Sequence, residues 1–177
     1  MKYNIYLRIL HWVMALLVLT MIFLGWFMEY LEDIIGKTNP KRLFLYDLHK
    51  SLGIIVLILM IIRIITRLVT YIPPLPLTIH PGLRITSRIS HYAMYLLMLA
   101  IPLLRYAMSD SFGKGVQLFG LPLPKPLPDN KLLGKKLAEL HGFFAYTLLV
   151  LVIVHIAGVI WHRFFDKRVN NILSRMV

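Results

Sequence analysis

Two histidines on one long apolar segment have the spacing needed to hold two metal centres at different depths of a membrane. The segment runs from Leu137 to Phe165 and contains His141 and His155, fourteen residues apart. In a helix, fourteen residues turn through about 1400°, roughly 40° short of four full turns, so both rings leave the same face. They are separated along the axis by roughly 21 Å, in a hydrocarbon layer about 30 Å thick. One imidazole is therefore expected near each edge of the layer, and other parts of the chain must supply the second ligands.

The segments that position these ligands are predicted to be membrane spans. The chain has 177 residues, of which 58% are hydrophobic, and the apolar residues fall into four blocks. This pattern predicts a single-domain, all-α membrane protein over residues 1–177, built as a bundle of four transmembrane helices. The predicted spans cover about residues 9–28, 48–68, 89–108 and 140–163. The first block is interpreted as a span because no small-residue cleavage site follows it, as a signal peptide would require.

Prolines and arginines define the ends and connections of these spans. The second loop is predicted to be non-helical because of its four prolines, Pro73, Pro74, Pro76 and Pro81. In the third loop, the stretch from Leu121 to Asp129 is expected to be extended and polyproline-like. Pro102 is expected to kink the third span. Arg63 and Arg67, at the far end of the second span, are expected to reach the lipid headgroups.

The charge distribution favours a lipid surface as the partner and excludes nucleic acid. The net charge is +12, and the basic residues flank the apolar blocks. Lysines and arginines number ten on each side of the membrane, so the raw count does not decide the orientation. Lys125 and Lys131 lie in a long loop, where such charges count less, and discounting them favours cytoplasmic termini. The three tryptophans are interpreted as interface residues, Trp12, Trp26 and Trp161.

Depth in the membrane sorts the other histidines into candidate pairs. His49 and His141 begin spans at the same side, so they are predicted to face each other. His155 lies toward the opposite side and can pair with either His11 or His91. Two imidazoles facing each other across a bundle are a usual ligand set for haem iron, whereas a structural zinc site needs four ligands. The sequence has no cysteine, which excludes thiolate ligation, covalent haem attachment and iron–sulfur clusters.

Small neighbours give a modest reason to prefer His11 over His91. Ala15 follows His11 by four residues and leaves room for a planar macrocycle, whereas bulky residues stand at the same offsets from His91. The other candidate ligands also have small residues nearby, namely Gly53, Ala145 and Gly158. A histidine at the end of a span is also compatible with a simple interfacial anchor. That interpretation is adopted for His91 and His80.

Short motifs distributed along essentially the whole chain resemble the bacterial cytochrome b561 family. They are RILHW at residues 8–12, DLHKSLG at 47–53, HG at 141–142, and His155 followed by His162. The resemblance implies a four-helix protein of the bacterial inner membrane that binds two non-covalent b haems. It further implies that His11 and His155 bind the haem near the cytoplasm. His49 and His141 would bind the haem near the periplasm.

The chain resembles the stand-alone branch of this family, which implies oxidation of periplasmic superoxide and reduction of ubiquinone. Lysines of the third loop, including Lys135 and Lys136, together with Lys41, Arg42 and Lys50, are expected to steer the superoxide anion. His162 is expected to contact the quinone and deliver a proton, because it follows His155 by two turns on the same face. Trp161 flanks it.

Interpretations that give the same residues no catalytic role remain open. The lysines are equally compatible with a solvated, lipid-facing surface, and His162 with an interfacial histidine. Two alternatives concern the whole protein. One is an electron-transfer subunit that docks a soluble dehydrogenase or hydrogenase, as some members of the family do. The other is a transporter or a structural membrane protein without haem.

Overall fold

Four long helices dominate the structure, a computed structural model that describes residues 2–74, 80–165 and 175–176. They are α1 (Ile5–Ile35), α2 (Pro40–Val69), α3 (Pro81–Ser111) and α4 (Lys131–Phe164). Each is long and apolar enough to cross a membrane, which confirms the all-α class and the four predicted spans. The helices continue beyond those spans, and α4 begins at Lys131, well before the predicted start near residue 140.

Each helix begins with a side chain that accepts a hydrogen bond from the backbone of the first turn. Asparagines serve in three of the four helices, Asn4 for α1, Asn39 for α2 and Asn130 for α4. In α3 the Nδ1 atom of His80 accepts the backbone N–H of Gly82 at 3.2 Å. Such caps satisfy N–H groups that have no partner inside the helix. His80 therefore has a structural role as the N-cap of α3.

Each helix packs on the next one in the chain, whereas the backbone of α4 does not pack closely on α1 or on α2. Helix α1 packs on α2, α2 on α3, and α3 on α4, whereas α4 makes few close backbone contacts with α1 or α2. A small core at mid-depth joins α1, α3 and α4, formed by the buried residues Val18, Met94, Leu97 and Leu148. The predicted ligand pairs join α4 to α1 and to α2. They therefore cross the interfaces where the backbones do not pack closely.

The described ends of the chain meet at one end of the bundle. The backbone carbonyl of Arg175 accepts the N–H of Tyr3 at 3.0 Å, and its guanidinium donates to the carbonyl of Pro73 at 2.7 Å. The indole N–H of Trp12 donates to the carbonyl of Met176 at 2.9 Å. The N-terminus, the second loop and the C-terminal tail thus lie on one side, as four spans require. Pro76 of the second loop lies outside the described residues, as do Lys167 and Arg168, which are two of the ten basic residues counted on the side of the termini.

A short antiparallel hairpin lies in the third loop, at the opposite end of the bundle. Its strands are β1 (Gln117–Leu118) and β2 (Leu121–Pro122). Phe119 and Gly120 form the turn with φ angles of 49° and 90°, the positive values that a tight two-residue hairpin requires. The Ser51 hydroxyl of α2 accepts the N–H of Phe119 at 3.0 Å and so holds the hairpin on the bundle. The sequence predicted extended chain from Leu121 onward but not this hairpin.

Candidate functional site

Chemically distinct side chains recur every seven residues on the four helices and form three layers. Seven residues are almost two helical turns, about 10.5 Å of rise, so such side chains share a face. The layer nearer the termini, here called the inner layer, contains His11, Arg63, His91 and His155. The middle layer is apolar and contains Val18, Val56, Met98 and Leu148. The layer nearer the hairpin, called the outer layer, contains Gly25, His49, Arg105 and His141.

A large cavity opens in the outer layer. Its volume is about 1090 Å³, and His49 of α2 and His141 of α4 both line it. Most of the other lining residues are apolar, including Val56 and Leu148 of the middle layer. Cofactor sites are typically concave, roughly 300–1,000 Å³ in volume, with apolar walls and a few convergent polar groups. The cavity is therefore large enough for a macrocyclic cofactor, and the two imidazoles are its candidate ligands.

A backbone carbonyl sets the tautomer of His141. The Nδ1 atom of His141 lies 3.1 Å from the carbonyl oxygen of Ile101. Because a carbonyl can only accept, Nδ1 carries the proton and Nε2 keeps a free lone pair. Metal-binding histidines commonly donate their other ring N–H to a carbonyl in this way. Pro102 follows Ile101 inside α3, and the helix continues through it to Ser111.

His49 completes the outer pair with a ring nitrogen that no described residue satisfies. Its Nδ1 atom is buried and has no hydrogen-bond partner in the described part of the chain. A Cβ built on Gly25 would lie 3.6 Å from Cε1 of His49, so the glycine keeps the space beside this ring open. Gly53 and Ala145, the small residues noted in the sequence, both line the cavity. A buried, unsatisfied nitrogen indicates a group that the protein atoms do not supply.

Arg105 brings a buried positive charge into the outer layer. The residue is 9% exposed, and neither terminal nitrogen of its guanidinium has a hydrogen-bond partner among the described residues. Its guanidinium carbon lies 4.7 Å from the centre of the Tyr46 ring. A buried guanidinium with unused donors calls for an anionic partner. Haem carries two propionate carboxylates, so the imidazole pair, the apolar walls and Arg105 together fit haem b.

Three histidines meet in the inner layer. The ring centre of His155 lies 6.4 Å from that of His11 and 5.4 Å from that of His91. Trp12 packs edge-on against His11 at 5.3 Å. A Cβ built on Gly158, one turn beyond His155, would meet nothing within 4 Å, so no other described part of the protein packs against this glycine. The structure thus brings His155 close to both of its predicted partners.

Arg63 lies inside the inner layer, which corrects the expectation that it reaches the lipid headgroups. The residue is 6% exposed, its Nη1 atom donates to the carbonyl of Leu7 at 3.0 Å, and its Nε atom donates to the hydroxyl of Tyr95 at 2.9 Å. Acceptors on α1 and α3 therefore hold the guanidinium within the bundle. Arg67, one turn further along α2, is half-buried, with its guanidinium 5.7 Å from the Tyr95 ring.

The remaining predicted site residues lie away from the outer cavity. His162 is half-buried on α4, two turns beyond His155, and Trp161 beside it is exposed. Lys135 and Lys136 are exposed in the first turns of α4, and neither lines the cavity. The structure therefore does not bring these two lysines together with the outer histidines.

Other basic residues line the cavity, and the charged groups of three of them lie near the ring of Tyr46. The basic lining residues are Lys37, Arg42, Lys50 and Arg105, and two acidic residues line the cavity with them, Glu29 and Glu32. Glu32 pairs with both Lys37 and Arg42. The charged groups of Lys50, Arg105 and Arg42 lie 4.6 Å, 4.7 Å and 5.8 Å from the centre of the Tyr46 ring. Sequence reasoning missed Arg105 and Tyr46. A usable signal for Arg105 was present, because it follows His91 by fourteen residues, the spacing that separates His141 from His155.

A four-helix membrane bundle with facing histidines in two layers defines a class of protein, the membrane-bound b-type cytochromes. The chain belongs to the prokaryotic cytochrome b561 family, whose model matches residues 2–177. This confirms the resemblance found in the sequence. The chain is therefore a bacterial multi-pass membrane protein of a family that binds b-type haem and transfers electrons.

Three relatives match nearly the whole chain. Cytochrome b561 homolog 2 of Escherichia coli (strain K12) is 32% identical over 178 residues, which cover 99% of this chain and 91% of that protein. The probable superoxide oxidase CybB of Yersinia pestis is 26% identical over 95% of this chain and 91% of its own length. Cytochrome b561 homolog 1 of Escherichia coli (strain K12) is 26% identical over 95% of this chain and 92% of its own length.

Proposed function

We propose that this protein oxidises superoxide at its outer side and reduces ubiquinone at its inner side, in the bacterial inner membrane. Two superoxide anions yield two molecules of dioxygen, and their two electrons, with two protons, convert one ubiquinone to ubiquinol. Haem b bound in each of the two layers supplies one-electron carriers between these reactions. The similarity to the probable superoxide oxidase CybB of Yersinia pestis supports this activity.

In this proposal two histidines of each layer would hold one haem. His49 and His141 hold the outer haem, as their shared cavity supports. His11 and His155 hold the inner haem. The ring centre of His155 lies within reach of both candidates, 6.4 Å from His11 and 5.4 Å from His91, and the small Ala15 one turn after His11 is the reason to assign His11.

The observation that carries the proposal is the set of cations on the wall of the outer cavity. The side chains of Lys50 and Arg42 are only 12% and 15% exposed and pair with Asp47 and Glu32, whereas Arg105 is buried and has no carboxylate partner among the described residues. The lining contains four basic residues and two acidic ones, so the wall of the cavity is positive on balance. Positive charge in a cleft with low-dielectric walls raises the local concentration and capture rate of an anionic substrate such as superoxide. Lys135 and Lys136 add to the same field from the exposed start of α4.

At the inner side, His162 is the proposed quinone contact. It continues the seven-residue series of His141, Leu148 and His155 along α4 toward the inner surface. An imidazole at this depth can donate a hydrogen bond to a quinone carbonyl and supply one of the two protons. The exposed ring of Trp161 lies next to it in the chain, and exposed tryptophans near the ends of spans commonly lie at the membrane interface. In this proposal both termini lie in the cytoplasm.

Stopped-flow addition of superoxide to purified protein reconstituted with ubiquinone tests the proposal. We expect rapid haem reduction that slows as ionic strength rises, and one ubiquinol for every two superoxide anions. Lys50→Gln should slow superoxide capture. Arg88→Gln removes an exposed cation at the opposite end of the bundle and should leave the rate unchanged.

Haem reduction that is slow and independent of salt would reject the superoxide reaction. That result would favour the alternative function, an electron-transfer subunit for a soluble dehydrogenase or hydrogenase. A spectrum without haem would favour a transporter or a structural membrane protein.

A further inference from the structure

Each layer contains one buried arginine, and the two differ in what their donors contact. The terminal nitrogens of Arg105 have no partner among the described residues. Arg63 instead donates to two neutral acceptors, the carbonyl of Leu7 at 3.0 Å and the hydroxyl of Tyr95 at 2.9 Å. Arg105 is therefore available to a carboxylate. Arg63 is held in place without one.

The contact with Leu7 fixes Arg63 beside a proposed haem ligand. In an α-helix the carbonyl of Leu7 also accepts the backbone N–H of His11, four residues later. The guanidinium thus lies at the start of the turn that carries His11. Tyr95 follows His91 by one turn on α3. Arg63 consequently ties three helices together and interacts electrostatically with both histidines.

No carboxylate pairs with this guanidinium within the described ranges. The ion pairs found there involve only Glu32, Asp47 and Asp129 as acids, and all of these lie toward the outer side. A guanidinium keeps its proton in proteins. A buried unit charge acts strongly on neighbouring sites, because the surroundings screen it less than water does. Among the described residues, the inner layer therefore carries a permanent positive charge that no protein carboxylate compensates.

We propose that Arg63 raises the reduction potential of the inner haem and so makes electron transfer from the outer to the inner layer more favourable than it would be without this charge. The inference rests on the proposed inner ligands, His11 and His155. One added electron lowers the charge of the inner centre by one unit, and a fixed cation nearby favours that state. No bond forms or breaks, and no proton moves. The terminal nitrogens of Arg105 have no partner among the described residues and would be available to a haem propionate, whereas Arg63 already donates to Leu7 and Tyr95.

Optical redox titration of the purified, haem-loaded protein measures both midpoint potentials without superoxide or quinone. Removing the charge in Arg63→Gln should shift the ratio of oxidised to reduced inner haem roughly tenfold toward the oxidised form. For a one-electron couple this is a midpoint lowered by about 59 mV. The outer couple, identified by its loss in His49→Ala, should not move.

Two charge-conserving variants separate electrostatics from structural support. Arg63→Lys keeps the positive charge and should retain most of the wild-type potential. Tyr95→Phe removes one acceptor but leaves the guanidinium, so it should lower thermal stability without moving the potential. An exposed-charge control, Arg88→Gln, should leave both potentials unchanged.

An unchanged inner potential in Arg63→Gln, or equal shifts in Arg63→Gln and Arg63→Lys, would overturn the inference. If Arg63→Gln does not retain its inner haem, the inner midpoint potentials of Arg63→Lys and Tyr95→Phe still test the inference. Both keep the charge, so a tenfold shift in either would show that packing and not charge sets the potential. A wild-type protein that does not oxidise superoxide would reject the proposed function, but the midpoint potentials measured in this titration would still test the role of Arg63. A wild-type protein with a single haem would instead overturn the ligand assignment.

Discussion

Filling the space beside Gly25 should expel the outer haem and leave the inner haem in place. A Cβ at this position would lie 3.6 Å from Cε1 of His49, an ordinary contact, so Gly25→Ala should be tolerated. Gly25→Leu places three further carbon atoms beyond that Cβ, in the cavity that His49 and His141 line. Overpacking of this kind costs about 1–3 kcal/mol. In binding terms this is roughly five- to 150-fold weaker retention of the outer haem.

The assay is the number of haems per chain, from haem absorbance and protein quantification after purification. Wild type and Gly25→Ala should both contain two haems, and Gly25→Leu should approach one. Thermal unfolding of the leucine variant should show that the bundle itself persists, because the middle layer around Val18 and Leu148 is untouched. A Gly25→Leu protein that keeps two haems with an unchanged spectrum would show that this cavity is not the outer haem site.

Three further variants probe the quinone contact, the outer loop and the source of superoxide steering. His162→Ala should slow ubiquinone reduction while haem content and superoxide-driven haem reduction stay the same, and unchanged turnover would reject its role. Ser51→Ala should destabilise the hairpin by about 1 kcal/mol and speed hydrogen exchange in residues 117–122, because it removes the hydroxyl that binds Phe119; unchanged exchange would contradict this. The double variant Lys135→Gln with Lys136→Gln should weaken the salt dependence of superoxide capture less than Lys50→Gln does. The opposite order would show that exposed charge dominates over the cavity wall.

The apolar blocks and the histidine spacing were sufficient to predict the four spans and the histidine layers. Helix periodicity places His141 and His155 on one face whatever their neighbours are. Helix periodicity does not predict that His155 contacts both His11 and His91, because this contact depends on how α1 and α3 approach α4. The sequence predicts how deep a residue lies in the membrane along its own helix. It does not predict which face each neighbouring helix turns toward that residue.

The buried arginines show the same limit of prediction from sequence. Arg63 was expected at the headgroups, since a charged residue near the end of a span usually finds water there. The structure buries it because Leu7 and Tyr95 offer acceptors inside the bundle. Arg63 follows His49 by fourteen residues, and Arg105 follows His91 by the same number. The spacing argument used for the histidines therefore applied to both arginines, although it does not identify the atoms they bind.

The haem content of two single-histidine variants tests the paired-layer arrangement most directly. Wild type should contain two b haems per chain. His141→Ala should lose the outer haem and His155→Ala the inner one, so each variant should contain one haem, with redox titration showing a different couple missing in each. A wild-type protein with one haem, or two haems in either variant, would contradict the arrangement.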